Sequence, residues 1–289
     1  MIIDSRTNKV YLAQGLLHYM PAYLNLLKAL TTEGINNAFL PLTESVKHIW
    51  ARDYMPIQLE QNIFLQYRYQ PDYLKGFEDY IPNYDFICKK LKLNCIKTDI
   101  ILDGGNVIKC GNKVIMTDKI FQENFHKEKN DLIKELEELF QAELVLIPWD
   151  RYEMYGHADG MVRYIRGNIV LLNNYVDFDK NLRQHLLEIL SAHFIVEELE
   201  YELPLSSKMS WAYLNFLQTE NCIFVPGLSY KEDQMAVEQI QQLYPQHKVI
   251  LIEGCRDIVK EGGALNCISW NILEDTSDKT KTITNPLAL

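Results

Sequence analysis

The chain has 289 residues, 47% hydrophobic and 24% charged, which is the make-up of a folded globular protein and excludes disordered, collagen-like and low-complexity classes. Its 29 basic and 39 acidic residues give a formal net charge of −10. No nucleic-acid partner is expected, because phosphate affinity comes from Lys and Arg. No apolar run approaches the roughly 20 residues of a bilayer span, and the first residues, with Asp4 and no apolar stretch, do not read as a signal peptide. A cytoplasmic protein without a membrane partner is the expectation.

In chain order, five segments open with Asn and continue as apolar, β-branched or aromatic strands, at Asn8, Asn62, Asn112, Asn168 and Asn221. Their spacings of 54, 50, 56 and 53 residues suggest an internal repeat. Asn tolerates the left-handed conformation of tight hairpins, and Gly111 and Gly167 precede it twice. The first repeat continues with a helix over 21–30 and a strand over 37–42. The second reads as strands from 55–59 and Asn62, a helix over 80–91 and a strand over 94–102. In the third, strands from 105–109 and Asn112 lead to a helical stripe of Leu132, Ile133, Leu136, Leu139 and Phe140, then a strand over 143–149. The fourth has strands from 161–165 and Asn168, the stripe Leu182, Leu186, Leu187, Leu190 and Phe194, and a strand over 195–203. In the fifth, strands from 213–217 and Asn221 precede the stripe Met235, Ile240, Leu243 and Tyr244. Ser229 and Glu232 form a capping-box pattern ahead of that helix, and a strand over 248–253 follows it.

The last strand, over 264–272, has no partner after it, and the strand from Asn8 has none before it. Pairing these two would close a ring. The reading is one α/β domain over 1–274, a five-fold propeller of ββαβ units, with a polar, flexible tail over 275–289. The alternative is a mixed α/β chain with coincidental Asn spacing.

Polar motifs follow the third strand of several repeats: Trp50-Ala-Arg-Asp53, Asp103-Gly-Gly105, Gly156-His-Ala-Asp-Gly160 and Gly262-Gly-Ala-Leu-Asn-Cys267. In a ring these converge on one pocket. Six cysteines show neither CxxC nor metal-finger spacing, and they read as reduced thiols. A lone cysteine such as Cys267 is more often a buried structural thiol than a nucleophile; it becomes a nucleophile candidate when a base or cation stands beside it. His157 is that candidate, with a polar loop histidine or a metal ligand as alternatives; the other histidines show no HxH or HxxxH pattern, and no metal is expected. Asp159, two residues on, points to the same side of an extended segment. Asp53 is either a site carboxylate or an ion-pair partner of Arg52, and Asp103 either a site carboxylate or a turn residue. Several acids beside a thiol suppress the thiolate. A pocket that binds a guanidinium resolves this, because that planar cation accepts paired carboxylates and restores neutrality. The set suggests nucleophilic attack on a guanidinium carbon.

In these motifs the chain resembles the agmatine deiminase and Porphyromonas-type peptidylarginine deiminase family of guanidino-modifying enzymes. The matching segments are 50–56, Asp103-Gly-Gly105, 156–163, Tyr213-Leu-Asn-Phe216 and 262–268. The resemblance implies the pentein fold, a five-bladed α/β propeller, and deimination without metal or cofactor through a covalent thiouronium. It implies Cys267 as nucleophile, His157 as general acid/base, Asp53 and Asp159 as the guanidinium grip with Trp50 beside them, and Asp103 in place of a usual Glu supporting the histidine. Ala264 stands for a usual Gly and Asn266 for a usual His. Agmatine, giving N-carbamoylputrescine, is the expected substrate. Arginine or peptidyl-arginine is the alternative and would need a cation such as Arg163 or Arg151 for the carboxylate. An agmatine enzyme would meet the distal amine with groups such as Trp149, Tyr152, Glu153 or Tyr155. Amidine transfer and a non-catalytic binding protein are further readings. Homo-oligomerisation is an expectation of the family alone.

Overall fold

In the computed structural model, residues 1–43, 48–151, 155–201, 209 and 211–275 are described. Tyr152, Glu153, the end of the strand expected over 195–203 and nearly all of the expected tail lie outside them.

β1 (Lys9–Leu12) pairs in parallel with β2 (Asn36–Phe39). The second sheet holds β3 (Ile57–Glu60), β4 (Ile63–Arg68) and β5 (Cys95–Ile101), and the third β6 (Ile108–Cys110), β7 (Lys113–Thr117) and β8 (Glu143–Ile147). The fourth holds β9 (Val162–Arg166), β10 (Ile169–Leu172) and β11 (Ile195–Glu198), and the fifth β12 (Leu217–Gln218), β13 (Cys222–Pro226) and β14 (Lys248–Ile252). In these four the middle strand is antiparallel to the strand before it and parallel to the strand after it. β15 (Ser269–Ile272) completes the first sheet by pairing antiparallel with β1, Leu12 opposite Ser269 and Lys9 opposite Ile272.

Helices make the parallel crossovers, and their buried stripes are those the periodicity marks. Leu132, Leu136 and Phe140 of the helix Lys129–Phe140 are buried, as are Leu186 and Leu190 of Lys180–Leu190. Met20–Thr32 starts with Pro21 in its first turn, where a missing N–H costs nothing, and buries Ala22, Tyr23, Leu26 and Leu30.

Several local expectations need correction. The five repeat asparagines do not take the left-handed conformation; Gly111 and Gly167 do, at φ 74° and 56°. Asn112, Asn168 and Asn221 instead offer their backbone carbonyls to Glu143, Ile195 and Lys248, the first residues of the third strands. Ser229 does not cap the fifth helix, which begins at Glu232. Its own φ is 61°, and the Asp233 carboxylate accepts the Leu228 and Ser229 N–H groups. Residues 213–217 are not a strand: Trp211–Leu214 is a short helix and only Leu217–Gln218 pairs. Nor does the last strand begin at 264. Ile268 N–H donates to Ala264 O and Ser269 N–H to Asn266 O, so Cys267 sits in a turn ahead of β15.

Candidate active site

The turn before the first strand of each antiparallel pair occupies an equivalent place in every sheet. Asp53 precedes β3, Asp103 precedes β6, His157 and Asp159 precede β9, Asn215 precedes β12 and Cys267 precedes β15. All six side chains are buried, with exposures of 1–7%. The structure thus brings together Cys267, His157, Asp159, Asp53 and Asp103.

Gly105 lies where they meet. A Cβ there would stand 2.7 Å from Asp53 Oδ1, 2.8 Å from His157 Nδ1 and 3.4 Å from Asp159 Oδ2. Gly105 N–H also donates to Asp53 Oδ1 at 3.0 Å. At Gly104 a Cβ would fall 2.0 Å from the Arg52 carbonyl, so both glycines are required by close approach. Tyr67 OH, its one proton shared between the Asp53 carbonyl at 2.5 Å and the Met55 carbonyl at 2.9 Å, fixes the Asp53 turn.

His157 Nε2 lies 2.8 Å from Asp103 Oδ2, and Nδ1 lies 3.7 Å from Asp53 Oδ1. Asp103 therefore reaches the imidazole despite being one methylene shorter than Glu. Burial by itself would lower the imidazole pKa, but the Asp53 charge, the Asp103 hydrogen bond and the Asp159 charge outweigh it and raise His157 to about 10. These carboxylates favour the imidazolium form of His157. Its loop is fixed by Thr117 Oγ1–H, donating to Gly156 O at 2.6 Å, and by Lys119 Nζ, donating to Tyr155 O at 2.7 Å.

Cys267 Sγ is 3.3 Å from Asn215 Oδ1 and 3.5 Å from Asp159 Oδ2. Burial first, then the Asp159 and Asp53 charges, push its thiol well above the ordinary value. Burial likewise raises Asp53, opposed by the neighbouring His157 cation. Asp159 is oriented by Asn266 Nδ2, which donates to its Oδ2 at 2.7 Å. The arrangement is an anionic pocket with a neutral thiol, and a cation entering between Asp53 and Asp159 would relieve it.

Trp50 packs on Gly263, where a Cβ would come within 2.1 Å of the indole, and Tyr155 packs on Gly262, whose φ is 96°. Arg52 is not the ion-pair partner of Asp53. It donates to Asn266 O and Asn271 Oδ1 instead. Arg163 bonds Asp4 Oδ2 at 3.2 Å. The Arg151 guanidinium lies 4.1 Å from the Trp149 ring centre. The sequence reading gave no role to Asn215 or to the Gly105 N–H. Asn215 fills in the fifth repeat the turn position that carries the motifs of the others.

Repeated three-stranded α/β sheets whose connecting turns assemble a thiol, an imidazolium and three carboxylates define a class of protein rather than one activity. A family profile resolves the class: the chain belongs to the Porphyromonas-type peptidyl-arginine deiminase family, whose match covers residues 7–272. An agmatine deiminase of Pseudomonas aeruginosa is 23% identical over 59% of this chain and 56% of its own length. A Marinomonas protein provisionally named an agmatine deiminase is 27% identical over 62% of this chain. The chain matches only 58% of that relative's length. Among solved structures, a Cys→Ser variant of C. jejuni agmatine deiminase with substrate bound superposes with TM-score 0.73 at 18% identity, covering 94% of this chain and 96% of that one. DDAH from Pseudomonas aeruginosa, complexed with citrulline, superposes at 0.61 with 12% identity over 92% and 100%. These likenesses establish a shared α/β fold.

Proposed function

We propose that this protein is a hydrolase of C–N bonds in guanidino groups, acting through Cys267. The carrying observation is the convergence of Asp53, Asp159 and His157 over Gly105 with the Cys267 thiol 3.5 Å from Asp159. A guanidinium held by Asp53 and Asp159 neutralises the charges that keep the thiol protonated, and the thiol gives its proton to solvent. The thiolate adds to the guanidinium carbon. The His157 imidazolium passes the Nδ1 proton to the departing nitrogen, ammonia leaves, and a thiouronium remains on Sγ. Neutral His157, its Nε2–H held by Asp103, then takes a proton from a water that attacks the same carbon. The carbon–sulfur bond breaks, the hydroxyl proton passes to the departing thiolate, and a ureido product forms. No step calls on a metal or cofactor.

Agmatine is the substrate favoured here, with N-carbamoylputrescine as product. Arg163, which an arginine carboxylate would call for, is engaged by Asp4. The five sheets are read as one pentein propeller over 1–274, its ring closed by the β1–β15 pairing, in a cytoplasmic protein. The relatives' names support the reaction class, and the free state of all six cysteines agrees with a reducing compartment.

The test offers the purified protein agmatine, free arginine and an arginine peptide, and follows ammonia and ureido product. Turnover of agmatine, lost in Cys267→Ala, is expected. Turnover of arginine alone would overturn the substrate, and turnover of none by a folded protein would overturn the activity. Transfer of the amidine to an added amine, without ammonia, would make the protein a transferase instead.

A further inference from the structure

Beneath the carboxylates lies a second buried layer. Lys109 and Arg163 occupy the second positions of β6 and β9, and Arg52 is the neighbour of Asp53. Arg52 and Arg163 are only 8% and 3% exposed. All three line a cavity of about 20 Å³ with Asp4 and Gln218. Asp4 is the carboxylate of this layer: Lys109 Nζ lies 2.6 Å from its Oδ1 and Arg163 Nη2 3.2 Å from its Oδ2. Burial alone would raise Asp4, but Lys109, Arg52 and Arg163 outweigh it and hold the carboxyl well below the usual range. Arg52 is bonded to neutral acceptors, Asn266 O and Asn271 Oδ1.

The two layers share segments. Asp53 follows Arg52, Lys109 comes six residues after Asp103, and Arg163 four after Asp159, so three chain segments each supply an acid to the site and a cation to the lower layer. They also share contacts. Arg52 N–H donates to the Cys267 carbonyl at 3.0 Å. Asn266 accepts from Arg52 Nε on its backbone and donates to Asp159 with its side chain. Three basic side chains surround one acid in the lower layer, and three acidic side chains surround one imidazole in the upper layer. Each layer alone would place an excess of one sign of charge in a poorly solvated interior, which is costly.

We propose that Arg52, Lys109 and Arg163, gathered around Asp4, are the buried counter-charge of the catalytic carboxylates and set the ease with which Cys267 loses its proton. This rests on the functional reading above. The three are positioning residues that act through the field. The charged groups facing Cys267 are Asp159 and Asp53. His157 and Asp103 stand across Gly105, with Glu123 and Lys119 of the helix Lys119–Glu123 behind Asp103. With the lower cations offsetting the upper acids, an entering guanidinium adds one positive charge, and loss of the Cys267 proton is a change that compensates it.

The test is the pH dependence of Cys267 alkylation by iodoacetamide in full-length protein without substrate, with the adduct located by mass spectrometry. Lys109→Met removes a cation and should move the profile to higher pH by roughly half a unit, about threefold slower labelling at fixed pH. Asp4→Asn removes the opposing charge and should move it the other way by a similar amount. Lys109→Arg should restore the parent profile, and Arg163→Gln serves in place of Lys109→Met should that variant not fold. Opposite shifts support the counter-charge. Unmoved profiles, or shifts of one sign in both variants, overturn it, because a structural role is blind to the sign of the charge. Failure of all guanidines to turn over would leave this readout intact, so the two proposals fail separately.

Discussion

The turns ahead of β6 and β12 hold the same place in their repeats and serve the site in opposite ways. Ahead of β6 the chain removes side chains: Gly104 and Gly105 let the backbone run against Arg52, Asp53 and His157, and the Gly105 N–H becomes a donor to Asp53. Ahead of β12 it supplies one. The Asn215 amide oxygen lies 3.3 Å from both Cys267 Sγ and Cys267 N, and its Nδ2 donates to the Asp159 carbonyl at 3.4 Å. One side of the pocket is rigid because it has no room, the other because an amide ties three strands' ends together. A repeat can be symmetric in backbone and still deliver a different chemical part from each copy.

Gly105→Ala should break the first turn most severely. The added methyl would overlap Asp53 and His157, and displacement of about 1 Å costs on the order of 10²-fold in rate. We expect at least that loss in kcat/KM with a far smaller change in thermal midpoint; retained activity would mean that the two side chains can retreat. Asn215→Ala tests the second turn. Leaving the Cys267 N–H without its partner should cost about 1–3 kcal/mol in urea unfolding, and kcat should fall by roughly tenfold or more. A drop in stability with kcat unchanged would reduce Asn215 to a scaffold role.

Asp103→Asn sharpens the contrast by leaving both turns in place and removing one charge. His157 loses a hydrogen bond to a carboxylate and the charge that help raise it to about 10, so the alkaline limb of kcat should move to lower pH. An unmoved limb would assign that limb to another group. The smallest effect concerns stability. Because the folded-state pKa of His157 is raised, its contribution is fully present below about pH 6.5 and is lost as pH rises through about 10. The difference in unfolding free energy between the parent and His157→Gln should therefore be larger at pH 6 than at pH 10.5, and a constant difference would contradict the raised pKa.

Much of this was readable from residues alone, for identifiable reasons. Apolar periodicity marked Leu132, Leu136 and Phe140 because a helix has one buried face. Asp103, His157 and Asp159 stood out because polar residues flanked by glycine are unusual beside apolar strands. Asn215 did not, because Tyr213-Leu-Asn-Phe216 also reads as strand, and only the contact with Cys267, 52 residues away, reveals its use. The partner of Arg163 was hidden for the same reason: Asp4 is 159 residues distant. Short-range patterns disclose which face is buried, while the partner of a buried charge depends on closure of the whole chain.

The pairing of β1 with β15 carries a consequence for biosynthesis. A ribosome completes Asp53, Asp103, His157 and Asp159 long before Cys267, and the thiol is seated only when Ser269–Ile272 docks on Lys9–Leu12. The nascent chain thus carries the acids and His157 without the proposed nucleophile. Reactivity arrives with the final strand, so that a chain stalled before Ser269 should be inert toward guanidines, and chemical competence reports that the first and last strands have met.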